Sequence, residues 1–275
     1  MSNIKIVLPK KEPYPFIVEN KSFKFSGGEI QVSVPAIASD AQVIIYANIR
    51  NSDDIMELLL TTNAVKKRTN NIELFMPYIP YARQDRVMNN GEALSIKVFA
   101  DLINAQGYAK VTVLDAHSDV SVVLIDRCIN LNKHDIFLQL FGHIKENNYA
   151  FVAPDAGAIK KTYEFAKSMN VAEVIRADKT RNVQNGEITG TIVYSENLGN
   201  KNVLIVDDIC DGGRTFIELS KELRKKTSGN IDLLVTHGIF SKGLLPLRNS
   251  DINHIYTSNS WLPQDDYLSV YPFGF

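Results

Sequence analysis

The chain has 275 residues, of which 45% are hydrophobic and 22% are charged, so it can form either one large domain or two of ordinary size. Its 30 basic and 31 acidic residues leave a net charge of -1, which argues against the strongly basic surface of nucleic-acid-binding proteins. It contains two cysteines, Cys128 and Cys210, no signal sequence, and no apolar stretch of the roughly 20 residues that span a bilayer. We therefore predict a cytoplasmic protein that binds neither nucleic acid nor membrane.

The first part of the chain predicts strands and turns. Residues 10–35 contain three prolines, a Gly-Gly pair and an alternating apolar pattern at residues 30–34. Short apolar runs rich in β-branched residues then recur, at residues 43–46, 72–76, 111–114, 151–153, 203–206 and 233–236. Such runs are typical of strands buried on both faces of a parallel sheet.

Helical patterns alternate with these runs. Residues 95–106 place most of their apolar side chains on one face, and Gly107 is a plausible helix stop. Residues 216–226 show the same apolar spacing. The alternation predicts an α/β fold whose strands are joined by right-handed crossovers.

Two further segments interrupt the pattern. A polar stretch at residues 141–148 predicts a boundary between two domains, residues 1–142 and 143–275, each a mainly parallel sheet flanked by helices. Residues 177–190 are charged and poor in apolar side chains, which predicts a long loop. Loops of that length within α/β domains are often lids over an active site.

Acidic residues follow three of the predicted strands. Asp115 and His117 come after the first of these, Asp155 after the second, and Asp207 with Asp208 after the third. Ligands of open α/β sheets bind at the carboxyl ends of the strands, so we expect these side chains to gather at one edge. The alternative is that each aspartate is a turn former or helix cap, and that His117 is structural.

Carboxylates of this kind suit magnesium better than zinc. Mg²⁺ prefers oxygen ligands and is usually held by few carboxylates together with substrate phosphates. The two cysteines are isolated and no paired histidine spacing occurs, so zinc is less favoured.

The segment after the paired aspartates predicts a phosphate-binding loop. It consists of Asp211, Gly212, Gly213, Arg214 and Thr215, and it leads into the predicted helix at residues 216–226. Glycines let backbone N–H groups approach an anion, and an arginine adds a bidentate donor. With carboxylates in front of it, the loop fits a sugar phosphate. The Walker and dinucleotide-binding glycine patterns are absent from the sequence.

Two other clusters could bind phosphate. One is the non-helical segment after Pro77 and Pro80, whose Arg83, Gln84 and Arg86 could clamp a triphosphate, although a solvated, charged surface turn is the alternative. Lys179 and Arg181 lie in the predicted lid, where they could bring positive charge to a phosphoryl group as the lid closes.

In this order, the motifs resemble those of the ribose-phosphate pyrophosphokinase (PRPP synthetase) family, in a short, phage-type variant. Residues 206–215 resemble its ribose-phosphate loop, residues 81–86 its nucleotide-binding segment, and residues 115–118 its metal-binding motif. Residues 179–181 resemble its catalytic lid. Residues 25–29 resemble the segment that a neighbouring subunit contributes to the adenine pocket.

The resemblance implies two phosphoribosyltransferase-like domains, ATP as co-substrate, Mg²⁺, and a homo-oligomer with shared active sites. The implied reaction transfers the β,γ-diphosphate of ATP to the anomeric hydroxyl of ribose 5-phosphate, giving AMP and PRPP for nucleotide biosynthesis. The resemblance implies catalysis by Lys179, Arg181 and His117, and metal binding by His117 and Asp155. It implies nucleotide binding by Phe25, Glu29, Arg83, Gln84 and Asp85. The implied acceptor-binding residues are Asp155, Asp207, Asp208, Asp211, Gly212, Gly213, Arg214 and Thr215.

The loop also departs from the family pattern. Gly212 stands where a threonine is usual, and Arg214 where a glycine is usual. This favours, as an alternative acceptor, ADP-ribose, whose product would serve NAD rebuilding. A phosphoribosyltransferase and a non-catalytic regulatory homologue are lesser alternatives. The presence of Lys179, Arg181 and His117 argues against the last.

Overall fold

The computed structural model describes residues 3–8, 21–181, 188–261 and 268–271. The chain forms two compact units, Met1–Leu131 and Asn132–Phe275. The division falls before the boundary that the sequence predicted at residue 142, because Phe137 already packs in the second unit, with its ring 5.7 Å from that of Tyr271. Within the described residues, no helix is long and apolar enough to cross a bilayer.

The first unit is built on a five-stranded parallel sheet with strand order β1-β4-β5-β6-β7. Its elements are β1 (Asn3–Leu8), β2 (Lys21–Lys24), β3 (Ile30–Ser33), β4 (Gln42–Ala47), α1 (Ser52–Lys66), β5 (Ile72–Phe75), α2 (Ser95–Asn104), β6 (Lys110–Leu114), α3 (Asp119–Leu124) and β7 (Cys128–Leu131). Strands β2 and β3 pair separately as an antiparallel hairpin. This agrees with the strands and turns predicted there; residues 9–20 lie outside the described residues.

Local sequence explains where the helices of this unit begin and end. Asn51 caps α1 through a capping box with Asp54, whose backbone N–H donates to Asn51 Oδ1 at 3.1 Å. Helix α2 covers nearly all of the predicted range and buries Ile96, Phe99 and related apolar residues. It is followed by Gly107, whose φ of 60° suits a residue without a side chain.

The second unit contains a seven-stranded sheet with strand order β10-β9-β8-β11-β12-β13-β14. Its elements are α4 (Lys133–Phe137), α5 (Phe141–Glu146), β8 (Tyr149–Ala153), α6 (Ile159–Ser168), β9 (Val174–Arg181), β10 (Ile188–Val193), β11 (Asn202–Cys210), α7 (Arg214–Arg224), β12 (Ile231–Gly238), α8 (Leu245–Arg248), β13 (His254–Ser258) and β14 (Leu268–Tyr271). All pairs are parallel except β9 with β10.

The strand order of this sheet reverses between β8 and β11. From β8 the chain moves outward to β9 and β10, and it then returns to β11 on the other side of β8. A reversal of this kind opens a crevice at the carboxyl ends of the two strands, where ligands of α/β sheets bind. Every residue of β8 and β12 is buried, as expected for strands covered on both faces. The predicted α/β fold with mainly parallel sheets is therefore confirmed.

Three local predictions were wrong. The strand predicted at residues 203–206 continues to Cys210, so Asp207 and Asp208 lie in β11 rather than after it. Helix α7 begins at Arg214, two residues earlier than predicted, and takes Arg214 and Thr215 out of the loop. The loop predicted at residues 177–190 is replaced at both ends by paired strands, because Val193 to Gly190 of β10 pair with Ala177 to Thr180 of β9.

Candidate active site

The centre of the candidate site is the carboxyl end of β11. Strand β8 pairs with β11 as far as the pair Ile205↔Val152, whereas β12 pairs with it up to Cys210↔Gly238. Beyond Ile205, β11 therefore borders the crevice on its β8 side, while its other edge stays paired with β12. This explains how the two aspartates can be part of a strand and still line a site.

Asp208 is held in a fixed position within this strand end. It is 7% exposed, and its carboxylate Oδ2 lies 3.6 Å from Lys161 Nζ on α6. Its backbone N–H donates to Asp207 Oδ1 at 2.9 Å. The hydrogen bond and the ion pair together orient both carboxylates, and nothing in the sequence pattern indicated Lys161.

Asp207 lies in a strongly perturbed electrostatic environment. It keeps some exposed surface, but protein atoms surround its carboxyl group. Burial and the negative charge of Asp208 raise the pKa of Asp207 well above its usual range, and Asp155 adds to this. The positive charge of Lys133 acts in the opposite direction. Lys133 is only 4% exposed, so it supplies a buried counter-charge that the sequence analysis missed.

The loop between β11 and α7 depends on a glycine. Gly213 is the N-cap of α7 and has a φ of 77°, in the left-handed region that favours glycine. Its carbonyl accepts hydrogen bonds from the N–H groups of Phe216 and Ile217 at 3.0 and 3.1 Å. The first N–H groups of an eleven-residue helix then face the loop, which is the arrangement that binds phosphate. Arg214 is exposed at the start of this helix.

Asp155 follows β8 directly and organises a tight turn. Its carboxylate Oδ1 and its carbonyl both accept from the N–H of Ala158, each at 3.2 Å. A Cβ at Gly157 would lie 3.3 Å from Asp155 Oδ1, so the turn is compact. Asp155 is thus a turn former, as in the alternative interpretation, and at the same time lies close enough to Asp207 to affect its pKa.

In the first unit, Arg83 and Gln84 lie on an exposed turn after β5. The turn is anchored by the buried Ala82, by Tyr81 with a φ of 63°, and by the Gln84 N–H, which donates to Tyr81 O at 2.8 Å. The Tyr81 ring lies 5.8 Å from that of Phe99. The segment is therefore held rigidly while its polar side chains face solvent.

Asp85 connects this turn with the loop after β6. Partial burial acts to raise the pKa of Asp85, but the net shift is downward. Ser118 and Arg86 together lower this pKa by more than burial raises it, and Arg86 Nε lies 3.3 Å from Asp85 Oδ1. The electrostatic effect of His117 lowers the pKa of Asp85 further.

His117 is exposed, so it is not a histidine buried in the core. The loop that carries it begins at Asp115, which has a φ of 40° and donates its N–H to Leu131 O at 2.7 Å. The next N–H, of Ala116, donates to Asn130 Oδ1 at 2.9 Å. The neighbouring strand β7 thus fixes the direction in which His117 leaves the sheet.

The remaining predicted residues lie on hairpins. Phe25 is 52% exposed at the tip of the β2–β3 hairpin, and its N–H donates to Glu29 O at 2.8 Å. Lys179 and Arg181 lie at the far end of β9, opposite Thr191 and Ile188 of β10. Their roles stay predictions.

The described residues contain no group of three or more His, Cys, Asp or Glu that could hold a metal ion. Mg²⁺ needs no such group, because it keeps several waters and is completed by substrate phosphates. A lone carboxylate such as Asp155, at the crevice beside Asp207, therefore fits Mg²⁺ and does not fit a structural zinc.

Comparison with known proteins identifies relatives of this chain. Residues 16–107 match the N-terminal domain of ribose phosphate pyrophosphokinase, and residues 130–246 match the phosphoribosyl transferase domain. Ribose-phosphate pyrophosphokinase of Thermosipho africanus is 31% identical over 86% of this chain and 76% of its own. The enzyme of the same name from Mycoplasma pneumoniae is 30% identical over 92% and 78%.

A solved structure shows the same fold. Phosphoribosylpyrophosphate synthetase from Mycobacterium smegmatis superposes with a TM-score of 0.83 at 21% identity, covering 99% of this chain and 95% of that one. The two family matches and these relatives lead to one conclusion: the chain belongs to the ribose-phosphate pyrophosphokinase family.

Proposed function

We propose that this chain transfers the β,γ-diphosphoryl group of ATP to the anomeric hydroxyl of ribose 5-phosphate, giving AMP and PRPP. The observation that carries the proposal is the pair Asp207 and Asp208 near the end of β11, which a glycine-containing loop joins to the start of α7. A ribose phosphate needs acceptors for its hydroxyls next to donors for its phosphate, and this strand end offers both.

In the proposed reaction the anomeric oxygen attacks the β-phosphorus of ATP, and the bond from that phosphorus to the oxygen it shares with the α-phosphorus breaks. AMP leaves, and the proton of the attacking hydroxyl passes to water. The protein mainly has to position the reactants and neutralise charge. We assign the neutralisation to Lys179 and Arg181, at the end of β9.

The acceptor and the nucleotide have separate binding residues in this proposal. Asp207 and Asp208 accept the ribose hydroxyls, while the loop that begins at Asp211 holds the 5-phosphate on the N–H groups of α7. In the first unit, Arg83 and Gln84 bind the ATP phosphates, and Asp85 belongs to the same nucleotide-binding segment. When bound, Mg²⁺ would reduce the repulsion between the phosphates; His117 would hold the ion that accompanies ATP, and Asp155 would hold a second ion or the ribose.

The proposal also covers assembly and location. Phe25 and Glu29 lie on an exposed hairpin, and we assign them to the adenine pocket of a neighbouring copy in a homo-oligomer. ATP as co-substrate and the free cysteines Cys128 and Cys210 are consistent with the cytoplasm.

AMP release with ribose 5-phosphate as acceptor tests the function. We expect stoichiometric AMP and PRPP, each confirmed by its mass. A parallel assay with ADP-ribose tests the larger acceptor. Efficient AMP release with ADP-ribose and none with ribose 5-phosphate would refute the proposed acceptor. Consumption of PRPP with a free base, without ATP, would indicate a phosphoribosyltransferase instead.

A further inference from the structure

The segment that follows β12 is held against the phosphate-binding loop. The N–H of Ser241 donates to Asp211 O at 3.2 Å, and that of Phe240 donates to Cys210 O at 3.1 Å. Phe240 has a φ of 48°, and its ring occupies the space over Gly238, where a Cβ would lie 2.2 Å from it. A strained residue of this kind persists only where its surroundings hold it, so the position of this segment is defined by the loop.

Lys242 is the next residue of this segment, and its aliphatic stem packs beside the loop. A Cβ built at Gly212 would lie 3.5 Å from Lys242 Cγ and 4.0 Å from Ser241 Oγ. The stem therefore occupies space that a larger residue at position 212 would compete for. From Cγ the side chain extends about 4 Å further to its ammonium group. This places a cation within reach of the site that the start of α7 offers to a phosphate.

The charges of the site explain why such a cation is needed. Asp207, Asp208 and Asp211 all lie within five residues of one another, and a bound phosphate adds further negative charge. Of the nearby lysines, Lys161 is paired with Asp208 at 3.6 Å, and Lys133 acts on Asp207. Both are thus engaged by carboxylates. A phosphate bound here gains from additional positive charge in contact with it.

We propose that Lys242 is a substrate-binding residue that contacts the phosphate of the acceptor from the side of Gly212. This assignment rests on the proposed function, since it takes a phosphorylated acceptor as the ligand of the loop. It adds a residue from a different segment of the chain, after β12, to a site otherwise formed by the β11–α7 connection. The chemical class it selects is a phosphate ester.

The substitution Lys242→Met tests the assignment, because methionine keeps an unbranched stem beside Gly212 and removes the charge. We expect the Kd for ribose 5-phosphate, measured by calorimetry, to rise about tenfold, and the Kd for ATP alone to change less than about twofold. Lys242→Arg should restore most of the affinity. Increasing salt should weaken ribose 5-phosphate binding more steeply in the wild type than in Lys242→Met.

The matched control is Lys225→Met, at the opposite end of α7, where the lysine is 67% exposed and paired with Glu222 at 2.7 Å. It should leave both Kd values unchanged. An unchanged Kd for ribose 5-phosphate in a folded Lys242→Met protein overturns the assignment, as does a wild type that does not bind this ligand. Binding without AMP release in the wild type overturns only the proposed reaction, because the Kd comparison still decides the role of Lys242.

Discussion

Replacing Gly213 with alanine tests how strongly the loop between β11 and α7 depends on a residue without a side chain. Gly213 has a φ of 77°, where an ordinary residue is strained. A Cβ at this position would lie 3.0 Å from Leu247 Cδ2 and 3.2 Å from Leu247 Cγ. Leu247 is 2% exposed and packs in the core of the second unit, so it has little room to move.

The two effects can be given magnitudes. A left-handed backbone conformation costs an alanine about 1–2 kcal/mol of folding stability. Alanine also lowers the conformational entropy of the unfolded chain, which offsets about 0.5 kcal/mol of that cost. The tight contact with Leu247 adds about 1–2 kcal/mol as overpacking. We therefore expect Gly213→Ala to lower the free energy of unfolding by about 1.5–3.5 kcal/mol, and the Tm by roughly 4–14 °C for units of this size.

Gly243 provides a matched control for the measurement. Its φ is 69°, but no atom lies within 4 Å of a Cβ built on it. Gly243→Ala should therefore show the backbone strain without the collision. The Tm of both variants can be followed by circular dichroism, and the difference between them isolates the contact with Leu247. The Kd for ribose 5-phosphate should rise in Gly213→Ala, because the start of α7 is displaced.

A double variant completes the experiment. Leu247→Ala alone removes buried apolar surface and should cost about 2–4 kcal/mol, but combined with Gly213→Ala it also removes the collision. The combined loss should be smaller than the sum of the two. Equal Tm values for Gly213→Ala and Gly243→Ala, together with additive losses in the double variant, would refute this reasoning.

Three other predictions follow from the described contacts. Burial is the main cause that raises the pKa of Asp232 in the folded protein, so the native state binds more protons than the unfolded chain. Stability should therefore fall as pH rises above about 4, the usual pKa of an aspartate. Asp232→Asn can still accept the hydrogen bond from Tyr149 and should flatten this fall in a Tm series from pH 4 to 8. Asn51→Ala removes the cap that accepts from the Asp54 N–H at 3.1 Å and should cost about 1 kcal/mol, measurable by urea unfolding, whereas Asn51→Gly should cost less. Lys179→Ala should reduce kcat by orders of magnitude and leave the Kd for ATP nearly unchanged; full turnover in this variant would remove Lys179 from the proposed mechanism.

Local patterns predicted the fold well and the element ends less well. Buried β-branched runs identified the central strands, and apolar spacing identified α2 and α7. The end of β11 was predicted too early because Asp207 and Asp208 are poor strand residues. They remain in the strand because β12 pairs with it up to Cys210, a contact that local propensity does not contain.

The predicted lid shows the same limit. Residues 177–190 carry several charges and few apolar side chains, so their sequence favoured a loop. In the structure residues 177–181 and 188–190 extend β9 and pair it with β10, because hydrogen bonds between the two strands satisfy the backbone whatever the side chains are. Lys179 and Arg181 therefore lie on a hairpin, and their assignment to catalysis stays a prediction.

The sequence by itself determined the alternation of strands and helices and the aspartate and glycine residues of the candidate site, because these depend on periodicity and on neighbours in the chain. It did not indicate Lys133, Lys161 or Lys242, which come from α4, α6 and the segment after β12. Only the tertiary structure brings them to the carboxyl end of β11, because the order β8-β11-β12 places separate segments side by side. The electrostatics of the site depend on those distant cations, so its charge balance was decided by the packing of the sheet.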